Sequence, residues 1–214
     1  MADTAPASIN RERFAEMYGG QAPWDTGNPQ PVFVKAADKI SGSILDIGCG
    51  PGDNALFFAS RGHAVTGADF LEEPVARAKQ KASERGLSAK FVEKDALQLQ
   101  DWSERFDNII DSGLFHVFSG QHGFADEDRV RYAEGLKTVL KPGGRLFLLC
   151  FSDQMPGTQG PRRVSQSELR ATFSNGWEIE SIEPAEFDVR PEAKAGLFQG
   201  INPKAWFMIA RRTA

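Results

Sequence analysis

Ile44-Leu45-Asp46-Ile47-Gly48-Cys49-Gly50-Pro51-Gly52-Asp53 runs from an apolar stretch into glycines and then into an amphipathic segment, which predicts a first strand, a tight turn and a helix start. Open α/β sheets bind nucleotide-like ligands at such a turn. A dinucleotide fingerprint places a third glycine where Asp53 stands, so that the helix start can hold a pyrophosphate. A carboxylate there repels phosphate and tolerates a phosphate-free ligand with a cationic centre. The turn therefore points to an adenosyl ligand and away from a nicotinamide dinucleotide.

Outward from this stretch, strands and helices alternate. Strands are predicted at Ile44 to Ile47, Ala64 to Ala68, Phe91-Val92, Phe106 to Ile110 and Arg145 to Cys150. Helices are predicted between them at Asn54 to Arg61, Glu72 to Arg85 and Asp128 to Leu140, the last closed by Lys141-Pro142-Gly143-Gly144. This alternation predicts right-handed crossovers and a mostly parallel sheet. Ser165-Gln166-Ser167-Glu168 has the spacing of a capping box and opens a short helix to Phe173. Trp177 to Ile182 and Ala205 to Ala210 read as two more strands with no helical pattern between them, so an antiparallel pair at the sheet edge is expected. Upstream, Ser8 can cap a helix over Ile9 to Tyr18, and the turn-rich Pro23 to Pro31 holds Trp24, one of four tryptophans.

A chain of 214 residues suits one α/β domain over 1–214: an N-terminal lid helix and Trp loop (1–40), a ligand-binding core (41–150), then a substrate loop and C-terminal hairpin (151–214). The net charge of -4 gives no electrostatic footprint for nucleic acid, so a small-molecule partner is expected. Cys49 and Cys150 lack metal-ligand spacing, and no metal is expected. Met1 to Ser8 lacks a basic start and an apolar core, and no run approaches membrane-spanning length. The expectation is a cytoplasmic protein, a monomer or homodimer, with no membrane partner.

Four acids stand at or just after strand ends: Asp46, Asp69, Asp95 and Asp111. In a parallel sheet those ends share one edge, so the four can face one crevice. Asp69 lies about twenty residues beyond the glycines, the separation at which an acid accepts from ribose hydroxyls. Asp95, followed by the small Ala96, suits an adenine amine, and Asp111 or the Asp46 region suits an ammonium.

At these positions the chain resembles the class I S-adenosylmethionine-dependent methyltransferases. The resemblance rests on Leu45 to Gly52, Asp69-Phe70, Asp95-Ala96 and Lys141 to Gly144, and covers most of Ser43 to Cys150. Pro23-Trp24-Asp25-x-Gly27-x-Pro29-x-Pro31 is similar to a loop of the branch holding thiopurine, halide/thiol and tellurite-resistance methyltransferases. It implies a Rossmann-like doubly wound sheet of seven strands, mostly parallel with an antiparallel final strand. It also implies S-adenosyl-L-methionine as cofactor, S-adenosyl-L-homocysteine as product, and Trp24 over the cofactor. Trp24, Asp46, Gly48, Cys49, Gly50, Asn54, Asp69, Phe70, Asp95, Ala96 and Asp111 are the cofactor-binding candidates.

Methyl transfer from a sulfonium is an in-line displacement, so positioning in a dry pocket matters more than a strong base. Phe115 and Phe118 should wall the methyl group, with His116 between them as the candidate base, while His63 and His122 fall outside the expected site. Phe14, Tyr18, Phe151 and one arginine, Arg163 of Arg162-Arg163, complete the substrate-binding candidates. The aromatics favour a flat aromatic or heteroaromatic acceptor methylated on O, S or N, and the resemblance implies a role in detoxification or secondary metabolism. The rivals are a very small nucleophile (halide, sulfide, tellurite) and a non-catalytic adenosyl-ligand-binding protein. No Asn-Pro-Pro-Tyr-like run follows the fourth strand, which disfavours nucleobase amine methylation.

Overall fold

The computed structural model describes residues 5–20, 22–118, 127–157 and 162–213, with side chains from residue 11 onward. Strands β1 (Ile44–Ile47), β2 (Val65–Asp69), β3 (Lys90–Glu93), β4 (Phe106–Ser112), β5 (Leu140–Phe151), β6 (Trp177–Glu186) and β7 (Lys204–Arg212) form one sheet. The order is β3-β2-β1-β4-β5-β7-β6. The first five strands run parallel, and β7 lies antiparallel between β5 and β6. The alternating pattern thus gives the expected mostly parallel sheet, closed by an antiparallel hairpin.

Seven α-helices accompany the strands among the described residues: α1 (Ala5–Gly19), α2 (Pro31–Ala36), α3 (Asp53–Ser60), α4 (Glu72–Glu84), α5 (Glu127–Val139), α6 (Gln166–Thr172) and α7 (Pro191–Gly196). β1 is buried along its whole length, as a strand covered on both faces must be. Ile44 joins the apolar cluster containing Phe33, Phe58 and Phe147; Leu45 and Ile47 join the opposite one containing Ile109, Tyr132 and Leu148. The chain leaves β1 toward β2 on one side and returns to β4 on the other. That reversal opens a crevice beyond the strands' C-terminal ends, where the glycine turn lies.

The capping box at α6 is present as the sequence predicts: Glu168 N–H donates to the Ser165 hydroxyl at 3.2 Å, and Ser165 N–H donates to Glu168 Oε2 at 2.8 Å. Ser8 lies outside the residues whose side chains are described. Three stretches differ from expectation. Lys141 to Gly144 sits inside β5, because Leu140 pairs with Phe106 before the register shifts to Arg145 opposite Asn108. β6 continues to Glu186 through Pro184, which an edge strand tolerates because one side of it has no ladder to feed. Between β6 and β7 stands α7, whose six residues are too few to show a helical period; Pro191 opens it at the position where a missing N–H costs nothing.

Candidate active site

The glycine turn borders a cavity of about 970 Å³ at the C-terminal ends of β1, β2 and β4. Gly48, Gly50 and Gly52 all have positive φ. A Cβ on Gly50 would stand 2.8 Å from the Tyr18 hydroxyl, and one on Gly52 would stand 2.9 Å from the Ala78 Cβ, so neither position admits a side chain without rearrangement. The cradle is backbone and small side chains, open toward the cavity.

Asp69 ends β2 on the cavity wall. Its Oδ2 accepts from Gly50 N–H at 3.0 Å, which ties the acid to the glycine turn, and its Oδ1 accepts from Leu71 N–H at 3.1 Å, which fixes it to its own loop. Burial pushes its carboxyl up to about 6 despite those donors. Phe70, Asp95, Ala96 and Asn54 line the same space, and Asp95 Oδ1 accepts from Leu97 N–H at 2.8 Å. Asn54 Oδ1 accepts from Gln30 N–H at 2.8 Å, which fastens the Trp loop to α3.

Over this floor lies an aromatic roof. Trp24 packs edge-on to Tyr18 at 5.9 Å and donates from Nε1 to the Tyr18 hydroxyl at 3.3 Å. Phe14 stands edge-on to Phe70 at 5.8 Å, so α1 and the loop after β2 share one apolar contact. Beyond the turn the cavity becomes a chamber of rings. Phe151 and Phe187 stack at 5.0 Å, His116 meets Phe151 edge-on at 4.9 Å, and Phe118, Val189 and Phe198 complete the lining.

Four candidates do not reach the cavity wall. Asp46 is buried, and its Oδ2 accepts from Ala55 N–H at 3.0 Å; it anchors the start of α3 to β1. Asp111 is fully buried, with Oδ1 accepting from Leu114 N–H at 2.8 Å and Oδ2 from the Tyr132 hydroxyl at 2.8 Å; these bonds shape the turn after β4. Phe115 is also fully buried, packed on Phe173 and Tyr132. Arg163 donates from Nη2 to Pro156 O at 3.1 Å. The charge of Asp53 also needs correction: it pairs with Lys81 at 2.9 Å, so much of the repulsion assigned to it is compensated by α4.

The chain between β6 and β7 supplies cavity wall that pattern reading missed. Phe187, Val189, Leu197 and Phe198 line the chamber, three of them buried. Gln30 holds this linker in place: its Nε2–H donates to Asp188 O at 2.9 Å, and its Oε1 accepts from Asp188 N–H at 2.8 Å. Arg190 N–H adds a bond to Pro23 O at 2.9 Å. The one hint in the sequence was an amide side chain set between two prolines.

No group of three or more His, Cys, Asp or Glu side chains that could hold a metal ion occurs among the described residues, and no described helix is long and apolar enough to cross a membrane. A family profile described as "Methyltransferase domain" matches residues 44–144. The 2-heptyl-1-hydroxyquinolin-4(1H)-one methyltransferase of Mycobacteroides abscessus is 34% identical over 183 residues, covering 83% of this chain and 78% of that protein. A probable thiol methyltransferase 2 of Arabidopsis thaliana is 32% identical over 180 residues, 80% of this chain and 76% of its own length. A solved structure described as "Conversion of a Disulfide Bond into a Thioacetal Group during Echinomycin Biosynthesis" superposes with a TM-score of 0.80 at 34% identity, covering 95% of this chain and 93% of that one.

Proposed function

This chain belongs to the S-adenosylmethionine-dependent methyltransferases, and on that footing we propose that it methylates an oxygen, sulfur or nitrogen of a small, flat aromatic or heteroaromatic molecule. The observation that carries the acceptor class is the ring-lined chamber beyond the glycine turn, in a cavity whose 970 Å³ lies at the upper end of ligand pockets. That is room for the cofactor and a second planar ligand. Relatives named for a hydroxyquinolinone and for thiols support the same class. The role we propose is in detoxification or secondary metabolism.

The residues present fit the cofactor. The glycine-flanked turn of Gly48, Cys49 and Gly50 would admit its amino-acid half, Asp69 would accept from the ribose hydroxyls, and Asp95 with Ala96 would receive the adenine. Trp24, Phe14 and Tyr18 would close over it, and Phe70 and Asn54 would border it. When bound, S-adenosylmethionine supplies a methyl carbon on cationic sulfur, to which the acceptor's lone pair bonds as the carbon–sulfur pair passes to sulfur. The protein's own contribution is to hold the acceptor in line and exclude water, which Phe118, Phe151, Phe187 and Phe198 are placed to do. We read the whole span as one domain acting in the cytoplasm as a monomer or homodimer, with no nucleic-acid partner; the free, buried Cys49 and Cys150 suit that compartment.

The test is transfer of label from S-adenosylmethionine by the purified protein to a panel of phenols, N-hydroxy heterocycles, thiols, ring nitrogens, sulfide and halides. Label should pass to planar aromatics. Transfer confined to sulfide or halide would refute the acceptor class, and tight S-adenosylhomocysteine binding without transfer to anything would leave a binding protein.

A further inference from the structure

Two side chains beside the glycine turn hold hydrogen-bond donors for which no described group is the acceptor. The first is Tyr18, whose hydroxyl rests on the turn: a Cβ on Gly50 would stand 2.8 Å from it. Tyr18 is only 8% exposed, and it lines the cavity. Its oxygen accepts from Trp24 Nε1–H at 3.3 Å, which turns the O–H away from the indole, and no described group takes the proton. Burial and the Asp69 carboxylate push the phenol well above its ordinary value, so the hydroxyl keeps that proton to donate. The second is Asn54, at the second position of α3. Its Oδ1 accepts from Gln30 N–H at 2.8 Å; an N–H can face only the oxygen of an amide, so Nδ2 and its two hydrogens point elsewhere. No described group accepts those either, and Asn54 also lines the cavity. A donor shut away without an acceptor is costly, and two of them at one turn call for a ligand that supplies lone pairs.

We propose that the Tyr18 hydroxyl and the Asn54 amide donate to the carboxylate at the amino-acid end of the cofactor, so that Tyr18 serves the cofactor and not the methyl acceptor. This rests on the reading of the cavity as an adenosyl-cofactor site. A carboxylate only accepts and an ammonium only donates, so a pair of free donors selects the first of the two charged groups at that end. The distribution of charge agrees. Arg13 of α1, the helix that carries Tyr18, lines the cavity, whereas the acids Asp69 and Asp95 enter it from the ends of β2 and β3. Asp69, the acid that acts on Tyr18, has its two oxygens engaged by Gly50 N–H and Leu71 N–H, which offsets part of its repulsion toward a second carboxylate. The zwitterionic end is thereby oriented, with its carboxylate toward α1.

Calorimetry on the whole chain with three ligands tests this without any turnover. S-adenosylhomocysteine carries both charged groups of the amino-acid end, S-adenosyl-3-thiopropylamine lacks the carboxylate, and 5′-methylthioadenosine lacks both. Tyr18→Phe keeps the ring and loses the donor, while Asn54→Asp keeps an oxygen for Gln30 N–H and loses the amide hydrogens. Each variant should bind S-adenosylhomocysteine about 10–100-fold more weakly, the loss expected for a hydrogen bond to a charged group. Each should bind methylthioadenosine as the wild type does, which also shows that it folds. Tyr18→Phe should leave the amine unchanged as well. An equal loss with all three ligands would place the hydroxyl on the nucleoside, and a loss with the amine as large as with S-adenosylhomocysteine would make it an ammonium contact. Full affinity for every ligand in both variants would reduce the two side chains to packing. Any of these three results overturns the proposal alone. If the wild type binds none of the ligands, the adenosyl-cofactor reading beneath it falls instead.

Discussion

Asp69 is the side chain on which the proposed cofactor site would turn, because it is both buried and fixed by two backbone donors. A carboxylate held this way accepts from a diol without reorganising. Asp69→Ala should weaken S-adenosylhomocysteine binding by about 1.5–3 kcal/mol, the range for a hydrogen bond to a charged group, read by calorimetry. Unaltered affinity would remove the ribose assignment. The buried acids also predict how stability depends on pH. Burial raises Asp46 to about 8, Asp111 to about 7 and Asp69 to about 6, against an ordinary value of 3.8. The folded state thus binds more protons than the unfolded chain between those limits. Their stabilising contribution is fully present below about pH 4 and is lost as pH rises through about 6 to 8. Urea midpoints should fall from pH 5.5 to pH 8.5, and less steeply in Asp46→Asn, which keeps an acceptor for Ala55 N–H. An equal fall in both proteins would free Asp46 of that role.

Among the elements, β1 to β4 were legible because an aspartate stands at or just after the end of each apolar run, and those four aspartates marked one sheet edge. What the pattern did not carry was which carboxylates face the crevice. Asp46 and Asp69 both lie at the ends of apolar runs, yet one bonds the helix that follows its turn and the other looks into the cavity. Phe115 and Phe118 diverge in the same way: the short turn Phe115–Val117 rotates one inward and leaves the other on the wall. The linker between β6 and β7 was illegible for another reason. Its place is set by bonds across 158 residues of sequence, from Gln30 to Asp188, which no local period encodes. Gln30→Ala would leave the Asp188 N–H and C=O without these partners. It should cost about 1–3 kcal/mol of folding stability. It should also raise KM for the acceptor, because Phe187 and Val189 are no longer held; a stability loss with unchanged acceptor KM would show that the linker keeps its place by packing alone.

At the scale of the whole molecule, the cavity joins parts of the chain that are otherwise separate. The roof comes from α1 and the Trp loop, the floor from the strand ends, and the far wall from the β6–β7 linker. A ligand that fills the space touches all three, so its binding energy should appear as resistance to global unfolding. For a ligand that binds only the folded state, a concentration one hundred times Kd adds about 2.7 kcal/mol, which for a chain of this size raises Tm by about 5–10 °C. S-adenosylhomocysteine should give that shift. NAD at the same concentration should give none, less because of the charge of Asp53, which Lys81 compensates, than because of what surrounds it. In the proposed reading the turn would cradle one ligand end while Asp69 and Asp95 would receive the other, and both acids are poor company for a pyrophosphate. A shift of equal size with NAD would show that the paired Asp53 exerts no discrimination and that the glycine turn accepts phosphate after all.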